Sequence, residues 1–347
     1  MPNLNRSLFV LALALLIPGL VAAQGAPFYR LTKSVALGAP DRWDYVVFDG
    51  ATQRVYVAHG DGVSVVDART GTVVGTVRGF GGGTHGVAIA AGAGRGYTDD
   101  GRAGEAGSFD LKSLQVQKRI PTAQGADAML YDPYSKHVFV VNGDSGTLTV
   151  IDPKSDSAIG TVNVGGGLEY LVSDERGKVY VNGAERKEVV RIDTRTNLAD
   201  ARWSVPECTS PHGLAMDRLT QRIFVSCVNQ VMVVVDARSG ATIADVPIGS
   251  GTDAAAFDPQ RKLIFSSNGK DGTISVIREK DANTFVAAGN IETRVSGRTM
   301  SVDPKSGRLF VAAAEIDKNA PPPAPGARRP PPVVPGSLQL LFLDPAP

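Results

Sequence analysis

Seven ionisable side chains recur at one register of this chain: Asp44, His85, Asp127, Glu169, His212, Asp253 and Arg298. Each stands five positions before a landmark at which an apolar strand closes, on Asp49, Ala90, Asp132, Asp174, Asp217, Asp258 and Asp303 in turn. The strand positions close by are almost wholly apolar, so an ionisable row among them marks a candidate ligand site. Arranged in a ring, Asp127 and Glu169 are neighbours flanked by His85 and His212, while Arg298 falls between Asp253 and Asp44. Adjacent carboxylates repel, and a proton or a cation relieves the repulsion. Oxygen ligands suit a hard divalent ion such as calcium, and imidazole admits a transition metal, which makes His85, Asp127, Glu169 and His212 the candidate metal ligands. The competing reading is a wet opening whose polar residues pair with one another and hold nothing.

The cysteines offer a second kind of chemistry. Cys208 and Cys227 are the only two, and they bracket the stretch that carries His212. In an oxidising compartment they are expected to form a disulfide; free or metal-bound thiols beside His212 are the alternative. There is no Cys-x-x-Cys-His for covalent haem, no His-Glu-x-x-His, and no Gly-x-Ser-x-Gly elbow. Gly81-Gly82-Gly83 and Gly165-Gly166-Gly167 do not open helices, so they lack the geometry of a phosphate cradle. A further set, His59, Asp100, Asn142, Asn182, Cys227, Asn268 and Ala313, lies near the ends of the second strands, and its asparagines read more readily as turn formers than as ligands.

What must position these residues is a repeat. After each closing landmark comes a turn and then a basic residue with an apolar or aromatic run: Arg54-Val55-Tyr56-Val57, His137-Val138-Phe139-Val140, Lys178-Val179-Tyr180-Val181, Arg222-Ile223-Phe224-Val225, Lys262-Leu263-Ile264-Phe265 and Arg308-Leu309-Phe310-Val311. Arg95-Gly96-Tyr97 keeps the register behind Ala90, which makes seven copies. A later strand in most copies closes on aspartate again, as in Val65-Val66-Asp67, Val150-Ile151-Asp152 and Val234-Val235-Asp236. The period of about forty residues holds four short strands with their turns. Such a sheet cannot bury both faces alone, and radial stacking covers them. The expected fold is therefore an all-β, seven-bladed β-propeller with four strands per blade. Small Gly86, Ala128, Gly213 and Ala254 suit the crowded innermost strands.

The last copy ends after Asp344 and lacks an outermost strand, while a strand without a blade, 28–37, precedes the first copy. The two are expected to pair and close the ring, which removes unprotected edges.

Residues 1–23 read as a secretion signal: Arg6, an apolar run Leu8 to Ile17 too short to span a bilayer, then Val21-Ala22-Ala23 before cleavage at Gln24. The mature domain is then 24–347, expected to be periplasmic or secreted, monomeric, and without a membrane span. Its composition, 43% hydrophobic and 20% charged, can bury a core. Removing Arg6 from the 36 basic side chains matches them to the 35 acidic ones, so the mature chain lacks the charge of a general nucleic-acid binder. Residues 320–336, rich in proline, fall between the second and third strands of the last copy and read as a surface loop, with partner docking as the sharper alternative.

The strands Val55-Tyr56-Val57-Ala58, Val138-Phe139-Val140-Val141-Asn142 and Val179-Tyr180-Val181-Asn182, with Gly146-Thr147-Leu148-Thr149-Val150-Ile151-Asp152, resemble the YVTN repeat. On that resemblance the chain is similar to the YncE-like, YVTN-repeat propellers over essentially its whole mature length. The resemblance implies the scaffold and leaves activity open, since such folds host unrelated functions. The expected function is non-catalytic binding of a small ligand, a metal ion or an envelope protein through the loop face. The alternative is a metal-dependent hydrolase of the lactonase kind, or a lyase, that uses the ring.

Overall fold

The computed structural model describes residues 29–321 and 332–346. The expected signal sequence, 1–23, and the middle of the proline-rich stretch lie outside the described residues. Seven four-stranded antiparallel sheets are formed in chain order, each running from the channel outward. Blade 1 shows the plan: Trp43–Asp49 innermost, then Arg54–His59, Gly62–Asp67 and Val73–Arg78. In blade 7 the order is Thr299–Val302, Leu309–Ala313, Gln339–Pro345 and, outermost, the amino-terminal strand Tyr29–Ala36. Tyr29 lies opposite Pro345 and Ala36 opposite Gln339, so the two ends of the described chain close the ring.

The repeated motif explains the stacking. The aromatic in the middle of each second strand is buried between blades: Tyr56, Tyr97, Phe139, Tyr180, Phe224, Phe265 and Phe310 are at most 1% exposed. Tyr56 packs on Phe109 of blade 2, Phe224 on Phe257 of blade 6, and Phe310 on Phe48 of blade 1. Each such burial contributes about 1.5–3 kcal/mol. In four copies the arginine that opens the same strand reaches the next blade. Arg54 donates to the Leu111 carbonyl (2.7 Å), Arg95 to that of Pro153 (2.9 Å), and Arg222 to that of Ala282 (2.6 Å). Arg308 donates to the Ala68 carbonyl (2.8 Å) and so ties the last blade to the first.

Crowding at the hub is real. A Cβ on Gly86 would collide with the Asp127 carbonyl of blade 3, and one on Gly213 with the backbone of Ala254 and Ala255 in blade 6. Innermost strands run from one face, here the mouth, to the opposite face. The turn between second and third strands returns to the mouth, where blade 7 carries its insertion. The flanks of that insertion come together at Ile316 and Val333. Asp41 holds its exit by accepting the backbone N–H groups of Gly336 (2.5 Å) and Leu338 (2.9 Å).

Candidate functional site

Asp44, Asp127, Glu169 and His212 are each the second residue of an innermost strand, and the register of all four strands slips at that point. A bulge of this kind leaves residues unpaired and re-aims their side chains, here at the mouth of the channel. His85, Asp253 and Arg298 lie just before the shorter innermost strands of blades 2, 6 and 7.

The seven residues do not act as one cluster; six of them fall into three groups. Arg298 pairs with Asp253 at 2.7 Å and stands 3.9 Å from Asp44, with its guanidinium over the Trp43 ring. His212 Nδ1 is 3.7 Å from Glu169 and makes no hydrogen bond among the described residues. His85 is held most firmly. Its Nδ1–H donates to Asp99 Oδ2 (2.7 Å), while Asp99 Oδ1 accepts the backbone N–H groups of His85 and Gly86 (2.8 and 2.7 Å). His85 Nε2 faces Arg42 Nη2 at 3.1 Å.

The charges are poorly balanced. Burial lifts the Asp44 carboxyl to about 6 despite Arg298, and lifts Glu169 to about 7 despite His212. Asp127 is pushed well above the carboxylate range by burial and by Asp44, and its Oδ1 has no hydrogen-bond partner among the described residues. Burial opposes charge on His85, yet the bond to Asp99 and the neighbouring acids outweigh it and raise the imidazole to about 9.

Below the ring, Tyr45 of blade 1 and Tyr170 of blade 4 meet with ring centroids 4.9 Å apart. These blades are not neighbours, so the pair crosses the axis. On one side of it lies a channel of about 340 Å³ walled mainly by apolar residues of the innermost strands, such as Val87, Met129 and Leu214. On the mouth side a separate cavity of about 490 Å³ is bounded by His85, Asp127 and Glu169 with loop residues of blades 1 to 4.

Among the described residues no group of three or more His, Cys, Asp and Glu side chains stands close enough to hold a metal ion. The sequence-derived set His85, Asp127, Glu169 and His212 is spread around the ring, and His85 Nδ1 is taken by Asp99. Cys208 and Cys227 are joined as a disulfide and fully buried, so neither thiol is free to ligate. The bridge pins the segment leading into His212. The asparagines serve the scaffold: Asn142 donates to Thr147 and Thr149, Asn268 to Thr273 and Ser275, and Asn182 to the His212 carbonyl.

Reading by register missed Asp99, because the acid counted at that strand end was its neighbour Asp100. It also missed Tyr45 and Tyr170. An aromatic directly following the ring acid in two copies, Asp44-Tyr45 and Glu169-Tyr170, was the available signal.

No protein-family model matches the chain, and no curated protein does. Among solved structures it is similar to Kuenenia stuttgartiensis hydrazine synthase, at 13% identity and a TM-score of 0.67, over 85% of this chain and 95% of that one. At that identity the likeness is one of architecture: this chain is a seven-bladed β-propeller.

Proposed function

We propose that this protein is an exported, YncE-like binding propeller that takes a small polar ligand at the mouth of its channel. The observation that carries the reading is the cavity beside Asp127 and Glu169. There a carboxyl oxygen of Asp127 lacks any partner among the described residues and both acids are held well above their ordinary range. Polar groups left unpaired beside a cavity of this size are what a ligand would satisfy. Export is supported by the leader-like segment 1–23 and by the Cys208–Cys227 bridge, which belongs in an oxidising compartment. Against the metal-hydrolase alternative, no three His, Cys, Asp or Glu side chains among the described residues stand close enough together to hold an ion.

A metabolite screen by thermal shift on the mature protein tests the binding reading. A ligand that raises Tm in the wild type and fails to do so in Asp127→Asn supports it. Equal shifts in both proteins would move the site elsewhere. Cell fractionation with amino-terminal sequencing tests export, with Gln24 as the expected first residue.

A further inference from the structure

The mouth cavity has two walls of opposite charge. Arg42, His85 and Arg102 come from the loops of blades 1 and 2, and Asp127, Glu169 and Asp144 from blades 3 and 4. Arg42, Arg102 and Asp144 are exposed, and among the described residues the side chains of Arg102 and Asp144 have no hydrogen-bond or ion-pair partner. The walls are kept apart by the backbone. A Cβ on Gly101 would meet the His85 ring, and one on Gly125 would meet Asp144, so bare glycines let each charged group stand against the cavity lining.

Each wall lacks something a ligand can bring. On the first, Arg42 Nη2 and His85 Nε2 face one another at 3.1 Å. Once the imidazole is protonated both are donors, and an acceptor placed between them resolves the conflict. On the second, Asp127 Oδ1 accepts no hydrogen bond. A donor placed there satisfies it and stabilises the ionised acid beside Glu169.

From this arrangement we infer that the ligand is a small zwitterion, such as an α-amino acid or a dipeptide with free termini, its carboxylate against Arg42 and His85 and its ammonium against Asp127 and Glu169. The inference rests on the proposed mouth site and specifies its ligand class. It excludes a simple cation or a simple anion as the preferred guest, because either would leave one wall unmatched.

The test uses the mature protein with three sets of probes: L-amino acids and dipeptides with free termini, their N-acetyl derivatives, and their carboxamides. Affinity is read by calorimetry after a thermal-shift screen at about 10 mM. At least one free-ended probe is expected to bind, and blocking either end is expected to weaken it about tenfold. Arg102→Gln and Asp144→Asn alter exposed side chains and should leave the ligand-free Tm unchanged while each weakens binding severalfold. Carboxamides that bind as well as free-ended probes would overturn the zwitterion and leave a cation site, with the mouth reading intact. N-acetyl derivatives that bind as well would overturn it in favour of an anion site. If none of the three sets binds, the inference fails, and the wider metabolite screen on Asp127→Asn decides separately whether the mouth binds at all.

Discussion

The innermost strands carry acids at both ends, and the two ends treat them differently. At the face opposite the mouth, Asp49, Asp132, Asp174, Asp217, Asp258 and Asp303 each accept backbone N–H groups from the turn that follows. Asp258 is typical: fully buried, it takes the amides of Gln260 and Arg261 (2.9 and 3.0 Å) and pairs with the Arg261 guanidinium. Asp217 is bonded by Lys262 and the Leu219 amide, and these hold its carboxyl below the ordinary range against the cost of burial. At the mouth, Asp44, Asp127 and Glu169 are partly buried, no nearby cation offsets the cost for any of them, and all three rise. One residue type thus serves turn closure at one end and leaves unmet charge at the other. Acids that repeat identically build the scaffold; those whose identity varies from blade to blade mark the site.

This contrast can be broken most directly at Asp258. Asp258→Ala should cost about 3 kcal/mol, because it strips two buried amides and a guanidinium of their acceptor. A loss under about 1 kcal/mol in urea unfolding would mean that the far-face acids are not structural.

The next effect is electrostatic and lies within the mouth. Replacing Asp99 with Asn should lower the His85 pKa from about 9 by more than one unit, roughly 1.4 kcal/mol or more. The imidazole C2 proton followed by NMR reads this. A resonance titrating unchanged would show that Asp99 does not hold the charge. The linkage has a sign: stability from this pair is complete below the ordinary histidine range near 6.5 and fades as pH rises through about 9.

A smaller change, of opposite direction to that at Asp258, is expected at Asp127. Asp127→Asn should alter stability by no more than about 1 kcal/mol, and toward greater stability wherever the acid is ionised, because it removes a partly buried charge whose Oδ1 accepts no hydrogen bond among the described residues. Marked destabilisation would mean a partner for its carboxylate that the geometry does not include.

The smallest expected effect is a slope. Glu169 keeps a proton in the folded chain up to about 7, whereas the unfolded chain releases it near 4.5. The folded state therefore binds more protons in that window, and stability declines as pH rises through it. Glu169→Gln should flatten that part of the Tm-versus-pH curve, and an unaltered curve would assign the decline to other groups.

Much of the architecture was legible because a propeller repeats its constraints. The aspartates that close six of the turns and the buried aromatics from Tyr56 to Phe310 each follow from one physical requirement that recurs blade after blade, and the strand at 28–37 was legible as the piece that the last copy lacks. The ring of mouth residues was legible for the same reason, since it shares their register. Its grouping was not. Whether Arg298 neutralises Asp44 and Asp253, or His85 turns to Asp99, depends on bulges and on the width of the hub, which no local pattern encodes. Arg42, Arg102 and Asp144 come from loops outside the repeat register, and the meeting of Tyr45 with Tyr170 joins residues more than two repeats apart.

The pairing of Tyr29–Ala36 with Gln339–Pro345 has a consequence for how the molecule comes into being. The strand Tyr29–Ala36, made before any blade, must wait for Gln339–Pro345 before the circle can be fastened. Until then blade 7 has no outer strand and presents a raw border to any passing chain. Nearly every contact in that final step joins residues some three hundred positions apart, so fastening is expected to be slow. A polypeptide cut short at its carboxyl end would stay unfastened and be a ready substrate for proteases and chaperones.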